Sequence, residues 1–192
     1  MPAERATEYF VDSAAFRHWL EQHHDSTPQG VWVKFAKKGS GVTSLDYAGA
    51  LNEALCFGWI DGQVKRLDEN FYLQGFTPRR PRSPWSKRNC EKAEQLLAQG
   101  LMAAAGAAEM ERAKADGRWE RAYDSPRNAE PPADFLAELA KNPAAEAFFA
   151  TLNSQNRYAV CYRLQTAKRP ETRARRIAAF VASFAEGKKL VE

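Results

Sequence analysis

Apolar residues change their spacing at Pro78, and this change limits the folds open to the chain. Before it, the runs WIDGQVKRL and FYLQGFTP flank a polar turn at residues 68–70, which is the pattern of a β-hairpin. The earlier run GVWVKFAKKG alternates its side chains as a further strand. After Pro78 the apolar residues recur at helical spacing. This order predicts an α+β fold: a small antiparallel sheet with flanking helices in the N-terminal part, followed by a C-terminal bundle of short helices.

Capping residues and a proline-rich stretch divide the chain further. Asp12 or the serine after it is expected to begin a first helix, and Ser44 a second one. Residues 125–134, SPRNAEPPAD, have the composition of a linker. We therefore expect two domains. Residues 1–125 hold the β-hairpin and two following helices, and residues 132–192 form an all-helical subdomain.

Composition is that of a globular protein and permits an anionic partner. Hydrophobic residues make up 44% and charged residues 27%, which excludes disorder of the whole chain. The net charge of +4 is uneven: residues 1–77 carry 7 Lys and Arg against 10 Asp and Glu, and residues 78–192 carry 21 against 14. Apolar runs are far shorter than the ~20 residues of a membrane helix, and the N-terminus does not resemble a secretory signal. We expect a cytoplasmic protein with no membrane span, whose partner is an anionic small molecule or a protein.

Cysteine and histidine spacing favours neither a metal nor a cofactor. The cysteines are far apart and each lies at or beside an apolar helical stripe, so we expect buried free thiols: Cys56, Cys90 and Cys161. The three histidines lie within residues 18–24, at a spacing that does not bring all of them to one helix face. The sequence contains no glycine-rich nucleotide loop.

The string GWIDGQVK is the first candidate for a binding site. In a regular strand, Trp59, Asp61, Gln63 and Lys65 would share one face. An aromatic ring beside a carboxylate on a sheet can form a pocket for a small polar or cationic ligand. The structural alternative is that Trp59 packs in the core while Asp61 completes a turn.

The string FTPRRPRSPWSKRN is the second candidate. Arg79 and Arg80 begin a basic stretch that contains Trp85 and Ser86 and leads into a helix N-terminus. Guanidinium groups near free backbone N–H groups can hold a phosphate or carboxylate, and an interleaved aromatic ring suits single-stranded nucleic acid. The alternative is a solvated connector.

Arg173 is the third candidate, because it projects from the apolar stripe that contains Ile177. A buried arginine requires a carboxylate or backbone carbonyls. It either pairs with an internal acid or faces a ligand cleft between the two parts of the chain. The acids considered as partners are Asp61, Glu53 and Glu171.

Four strings are more specific than amphipathic spacing requires: ALCFGWIDGQ, QGFTPRRPRSPWSKRN, ADGRWERAYDSP and TAKRPETRARRIAAFVASFAEGKK. In this order they resemble the YdeI/OmpD-associated family, also called bacteriocin-protection proteins, from about Phe10 to Lys189. The most specific part reads AK-x-x-ETR-x-x-RI and runs from Ala167 to Ile177. The resemblance implies a role in tolerance of bacteriocins or cationic antimicrobial peptides and an association with an outer-membrane porin. It brings no catalytic mechanism with it.

Three functional hypotheses follow from the residues and the resemblance. The first is a non-enzymatic binding protein whose ligand-binding residues are Trp59, Asp61, Arg79, Arg80, Trp85, Ser86 and Arg173. The second is a nucleic-acid-binding protein that uses the basic segments Arg79–Arg88 and Arg173–Arg176. The third is an enzyme of unknown reaction in which Asp61 is the general acid or base.

Overall fold

Four short strands pair into one sheet in the order β1-β2-β4-β3. The structure is a computed structural model that describes residues 5–191. The strands are β1 (Thr7–Tyr9), β2 (Val31–Ala36), β3 (Trp59–Arg66) and β4 (Phe71–Pro78). The predicted hairpin is formed by β3 and β4, which pair antiparallel, and β2 adds to β4 in the same sense. The predicted α+β class is confirmed.

One strand departs from the antiparallel pattern. β1 lies parallel to β2, with Thr7 opposite Trp32. The sheet is therefore mixed rather than wholly antiparallel. The sequence did not predict β1 because three residues are too few to show the alternation of a strand.

A β-bulge in β3 overturns the prediction that four of its side chains share one face. Between Asp61 and Val64, β3 advances three residues while β4 advances two. The extra residue reverses the alternation of side chains, so Lys65 lies on the sheet face opposite Trp59 and Asp61. The bulge is stabilised by Gln74, whose buried side-chain amide donates to the Gly62 carbonyl at 2.8 Å.

Helices cover the sheet face that carries Val31, Val33 and Phe35, all of them buried. They are α1 (Ser13–His23), whose Phe16 ring packs against Phe76 of β4, and α2 (Tyr47–Cys56), which contacts β3. Two further helices follow the sheet along the chain, α3 (Lys87–Ala98) and α4 (Ala104–Ala115). Asp12 caps α1, as predicted, by accepting a hydrogen bond from the Ala15 N–H at 2.8 Å.

The prediction for the start of the second helix is wrong. The cap of α2 is Asp46, which accepts from the Gly49 N–H at 2.7 Å. Ser44 instead accepts from the Ala36 N–H at the end of β2. A serine and an aspartate two residues apart are equally good caps, and only the strand contact separates them.

Four helices follow the proline-rich stretch: α5 (Ala133–Leu139), α6 (Pro143–Thr151), α7 (Ser154–Gln165) and α8 (Pro170–Ala185). Asn142 and Asn153 cap α6 and α7 through their side-chain oxygens. The predicted stripe on α8 is confirmed, because Ile177, Phe180 and Phe184 are buried in the helical core.

The chain forms two compact units. The first runs through Ser83 and includes Asn89–Trp119. The second comprises Pro84–Arg88 and the chain from Glu120 onward. The domain limits 1–125 and 132–192 stay a prediction. Within residues 5–191, no helix is both long enough and apolar enough to cross a bilayer.

Candidate functional site

Two of the predicted site residues line one small pocket in the first unit. Trp59 begins β3 opposite Pro78, and the backbone N–H of Arg79 donates to the Gly58 carbonyl at 3.0 Å. This pairing brings both side chains to a cavity of about 280 Å³. The Trp59 ring is 1% exposed, and its Nε1 donates to the His24 carbonyl. The ring is therefore part of the core and of the pocket wall at once.

Gly58 of the FGWIDG string and Gly106 of α4 allow two segments of the first unit to approach closely. Gly58 has a φ of +73°, and a Cβ there would lie 3.2 Å from the Ala105 carbonyl oxygen. A Cβ at Gly106 would clash with the carbonyl of Cys56, which accepts a hydrogen bond from the Ala103 N–H. The two glycines let α4 pack against the turn before β3, and α4 then closes the pocket.

The polar wall of this pocket is built around a buried carboxylate. Glu109 is 2% exposed, and it pairs with Arg118 at 2.8 Å and with Arg112 at 2.6 Å. Arg118 also binds Asp116 at 2.7 Å and donates to the Ser83 carbonyl. Burial alone would lower the pKa of Arg118, but its bonds to Glu109 and Asp116 raise it. Glu109 thus holds charged side chains in place.

Asp61 and Arg80 belong to the first unit but have different surroundings. Asp61 is half-buried and accepts a hydrogen bond from the Tyr47 hydroxyl at 2.8 Å. Arg80 is exposed, and its backbone N–H donates to the Ser83 hydroxyl. Arg79, in contrast, is buried.

Trp85 and Ser86 lie in the second unit, where backbone pairing fixes them. The Tyr123 N–H donates to the Trp85 carbonyl at 3.0 Å, and the Lys87 N–H donates to the Tyr123 carbonyl at 2.9 Å. Lys87 also forms an ion pair with Asp124. Both Trp85 and Ser86 are buried. The PWSK stretch and the AYDSP stretch of the sequence therefore pair with each other.

Arg173 is clamped by an acid that the sequence did not single out. Its Nε and Nη2 each lie 2.7 Å from the Asp134 carboxylate, and its Nη1 donates to the Leu164 carbonyl. The predicted partners are therefore wrong, although the prediction of a carboxylate clamp is right. The hydrogen bonds from Arg173 hold the pKa of Asp134 below its ordinary value.

A groove in the second unit contains this clamp at one end. Its volume is about 720 Å³. Its walls are α5 and α8, and one side is apolar: Ala174, Ile177, Ala178, Val181 and Ala182. Its rim carries Asp134, Glu138 and Asn142. Such a surface can accept a ligand that is apolar along one side and cationic along another.

Both parts of the chain match known family models. Residues 8–109 match a family described as a domain of unknown function (DUF8412). The chain belongs to this family. Residues 128–187 match a second model, described as "Bacteriocin-protection, YdeI or OmpD-Associated". No curated protein and no solved structure matches the chain.

The resemblance predicted from the sequence is confirmed for residues 128–187, which include the AK-x-x-ETR-x-x-RI segment. The chain is therefore related to the YdeI/OmpD-associated proteins through this region. The strings GWIDG and FTPRR lie in residues 8–109 and match the other family instead.

Sequence reasoning missed Glu109, Arg118 and Asp134, which organise the charges at the pocket and the groove. The sequence carried one signal for Asp134: it lies in the first turn of a helix, after two prolines. Nothing local distinguishes Glu109 from other acids on a charged helix. Among residues 5–191, no group of three or more His, Cys, Asp or Glu is arranged to hold a metal ion.

Proposed function

We propose that this protein is a cytoplasmic, non-enzymatic binding protein that supports tolerance of bacteriocins or other antimicrobial peptides. The observation that carries the proposal is that residues 128–187, which match the bacteriocin-protection model, include all the residues that line the α5–α8 groove. We assign the binding of the peptide to this groove.

The chemistry of the groove supports a cationic, amphipathic peptide as ligand. Ala174, Ala178 and Ala182 recur every fourth residue, and their small side chains leave room along α8 for apolar side chains of a ligand to pack. Glu138 is exposed at the rim, where a lysine or arginine of the peptide can replace Lys141 as its partner in a solvent-exposed ion pair. The groove therefore offers apolar area and negative charge along the same line.

The two alternative functions have less support. In the basic segments, Arg79 is buried, and the partly exposed Arg173 already pairs with the Asp134 carboxylate. Asp61 as acid or base stays a prediction, with the Tyr47 hydroxyl as its hydrogen-bond partner.

The test uses two neighbouring alanines of α8. Ala178 is exposed and lines the groove, whereas Ala179 is exposed outside it. Ala178→Trp would fill the groove, and Ala179→Trp adds the same ring elsewhere. We expect the wild type and Ala179→Trp to raise the bacteriocin dose that halves the growth of a sensitive bacterial host, and Ala178→Trp to abolish this protection.

A binding measurement separates the groove from indirect effects on the host. A fluorescent amphipathic peptide of lysine and leucine should bind the wild type and Ala179→Trp, and bind Ala178→Trp at least ~10-fold more weakly. Equal protection or equal binding by Ala178→Trp would contradict the assignment of the groove. Failure of the wild type to protect against any bacteriocin in a panel would contradict the function itself.

A further inference from the structure

The sheet face opposite the helices differs chemically from the buried face. Trp32 and Lys34 point to this side from β2, and Lys65 does so from β3 because of the bulge. The side chains at strand positions on this face are mostly half-buried or exposed. The only two acidic residues in the four strands, Glu8 and Asp61, have register partners that place them on the helix side. The face is therefore cationic along its strands.

Two cations lie over one ring of this face. The Arg5 guanidinium carbon is 4.8 Å from the Trp32 ring centroid, and the Lys65 ammonium is 4.3 Å from it. Arg5 is fixed by a hydrogen bond from its Nε to the Gln29 carbonyl at 2.8 Å. Gly75 leaves the space for its guanidinium, because a Cβ there would lie 2.5 Å from the Arg5 Nη1. A guanidinium or ammonium group that lies over a ring still has N–H groups that can donate to an anion.

A third cation, Lys34, lies over a second ring, two residues further along β2 from Trp32. The Lys34 ammonium is 3.9 Å from the Phe71 ring centroid, and the Tyr9 ring contacts Phe71 edge-on at 6.4 Å. Tyr9 is 42% exposed. Since Trp32 and Lys34 are two residues apart on β2, the two cation–aromatic stacks are about 6.6 Å apart along the strand.

The positive charge of Arg80 lies near that of Arg5. Burial lowers the pKa of Arg5, and the nearby Arg80 charge lowers it further. Like charges held close together are stabilised when an anion binds between them. Arg80 is exposed and is thus available to such an anion.

We propose that this face binds single-stranded nucleic acid, with phosphates held by Arg5, Lys34, Lys65 and Arg80, and with Tyr9 stacking on a base. Aromatic rings on an open four-stranded sheet, interleaved with cations, bind unpaired strands because each base presents a π-face. Paired bases inside a duplex are not available to the exposed Tyr9 ring. This surface shares no residue with the groove on α5 and α8, and the proposal does not depend on the peptide function.

The experiment is fluorescence anisotropy with a labelled oligo(U) of ~15 nucleotides, titrated with the full chain at several salt concentrations. We expect binding that weakens steeply with salt, and weaker competition by an unlabelled duplex of the same length. The variant Lys34→Glu/Lys65→Glu should weaken binding at least ~50-fold and reduce the salt slope by about 1.4, which is ~0.7 for each lost phosphate contact.

The matched control is Lys168→Glu/Arg175→Glu, which changes the net charge equally at exposed positions of the second unit. It should bind like the wild type. Tyr9→Leu should weaken binding roughly tenfold with an unchanged salt slope, because it removes stacking rather than charge. Unchanged melting temperatures would show that the variants are folded.

Three outcomes would overturn the proposal. One is an absence of binding by the wild type at low salt. Another is an equal loss in both double variants, which would indicate non-specific attraction by net charge. The third is duplex competition as strong as that of the single strand. Arg80→Glu, at an exposed position, gives a second charge variant should the sheet variants unfold.

Discussion

Glu109 shows how one residue can set the stability of the polar wall in the first unit. A carboxylate that is 2% exposed is costly to bury unless its oxygens are paired. Arg118, itself 6% exposed, pairs with Oε1, and the largely exposed Arg112 pairs with Oε2. Removal of the buried partner leaves the charge only half compensated.

We predict that Arg118→Ala lowers the free energy of unfolding by about 3 kcal/mol, because it leaves Glu109 buried without its best partner. The matched control is Lys114→Ala on α4, the helix that carries Glu109, because its exposed pair with Glu111 contributes about 0.5 kcal/mol or less. Urea unfolding of both variants measures the difference. Equal costs for the two would show that Glu109 is not sequestered from water.

At the scale of elements, Arg173 joins three helices of the second unit. It extends from α8, pairs with Asp134 on α5, and donates to the Leu164 carbonyl near the end of α7. The apolar stripe of α8 supplies most of the packing, and the arginine fixes how the helix ends meet.

We predict that Asp134→Asn lowers stability by about 1 kcal/mol at pH 7, since the pair is partly exposed and screened by solvent. The pKa of Asp134 is lowered in the folded protein, so its stabilising effect is present above the ordinary pKa of an aspartate and is lost as the pH falls through the lowered value. The stabilities of the wild type and of Asp134→Asn should therefore become equal in acid.

Thermal melts across a pH series provide the measurement for this variant. Glu138→Gln is the control, because Glu138 forms only an exposed i,i+3 pair with Lys141. A difference between wild type and Asp134→Asn that persists unchanged into strong acid would show that the Asn acts through packing rather than through charge.

At the scale of the whole molecule, the reactivity of the three cysteine thiols measures how often the folded units open to solvent. Cys56 and Cys90 lie in the first unit and Cys161 in the second, and all three are buried thiols outside any disulfide, as predicted. Burial raises the pKa of Cys56 and of Cys161, which lowers the thiolate fraction of each at neutral pH.

We predict that DTNB reacts with three thiols in denaturant and, in the native protein, reacts at least ~100-fold more slowly than a free cysteine. The variants Cys56→Ser/Cys90→Ser and Cys161→Ser assign the reactivity to each unit. Rapid reaction of a native thiol would contradict the burial of that residue.

Local sequence patterns were enough to predict the features that depend on neighbouring residues in the chain. The hairpin of β3 and β4, the Asp12 cap, the stripe on α8 and the α+β class all follow from local periodicity and capping, which act within a few residues. For the same reason the sequence showed that Arg173 requires a carboxylate.

The tertiary structure alone decided which residues meet. The bulge that carries Lys65 to the open face depends on pairing with β4, and the parallel addition of β1 depends on β2. Asp134 became the partner of Arg173 because α5 meets α8, and Glu109 became buried where α4 packs against the turn before β3. Such contacts are set by the shape and charge of the assembled unit, because no local pattern encodes a pairing across 39 residues.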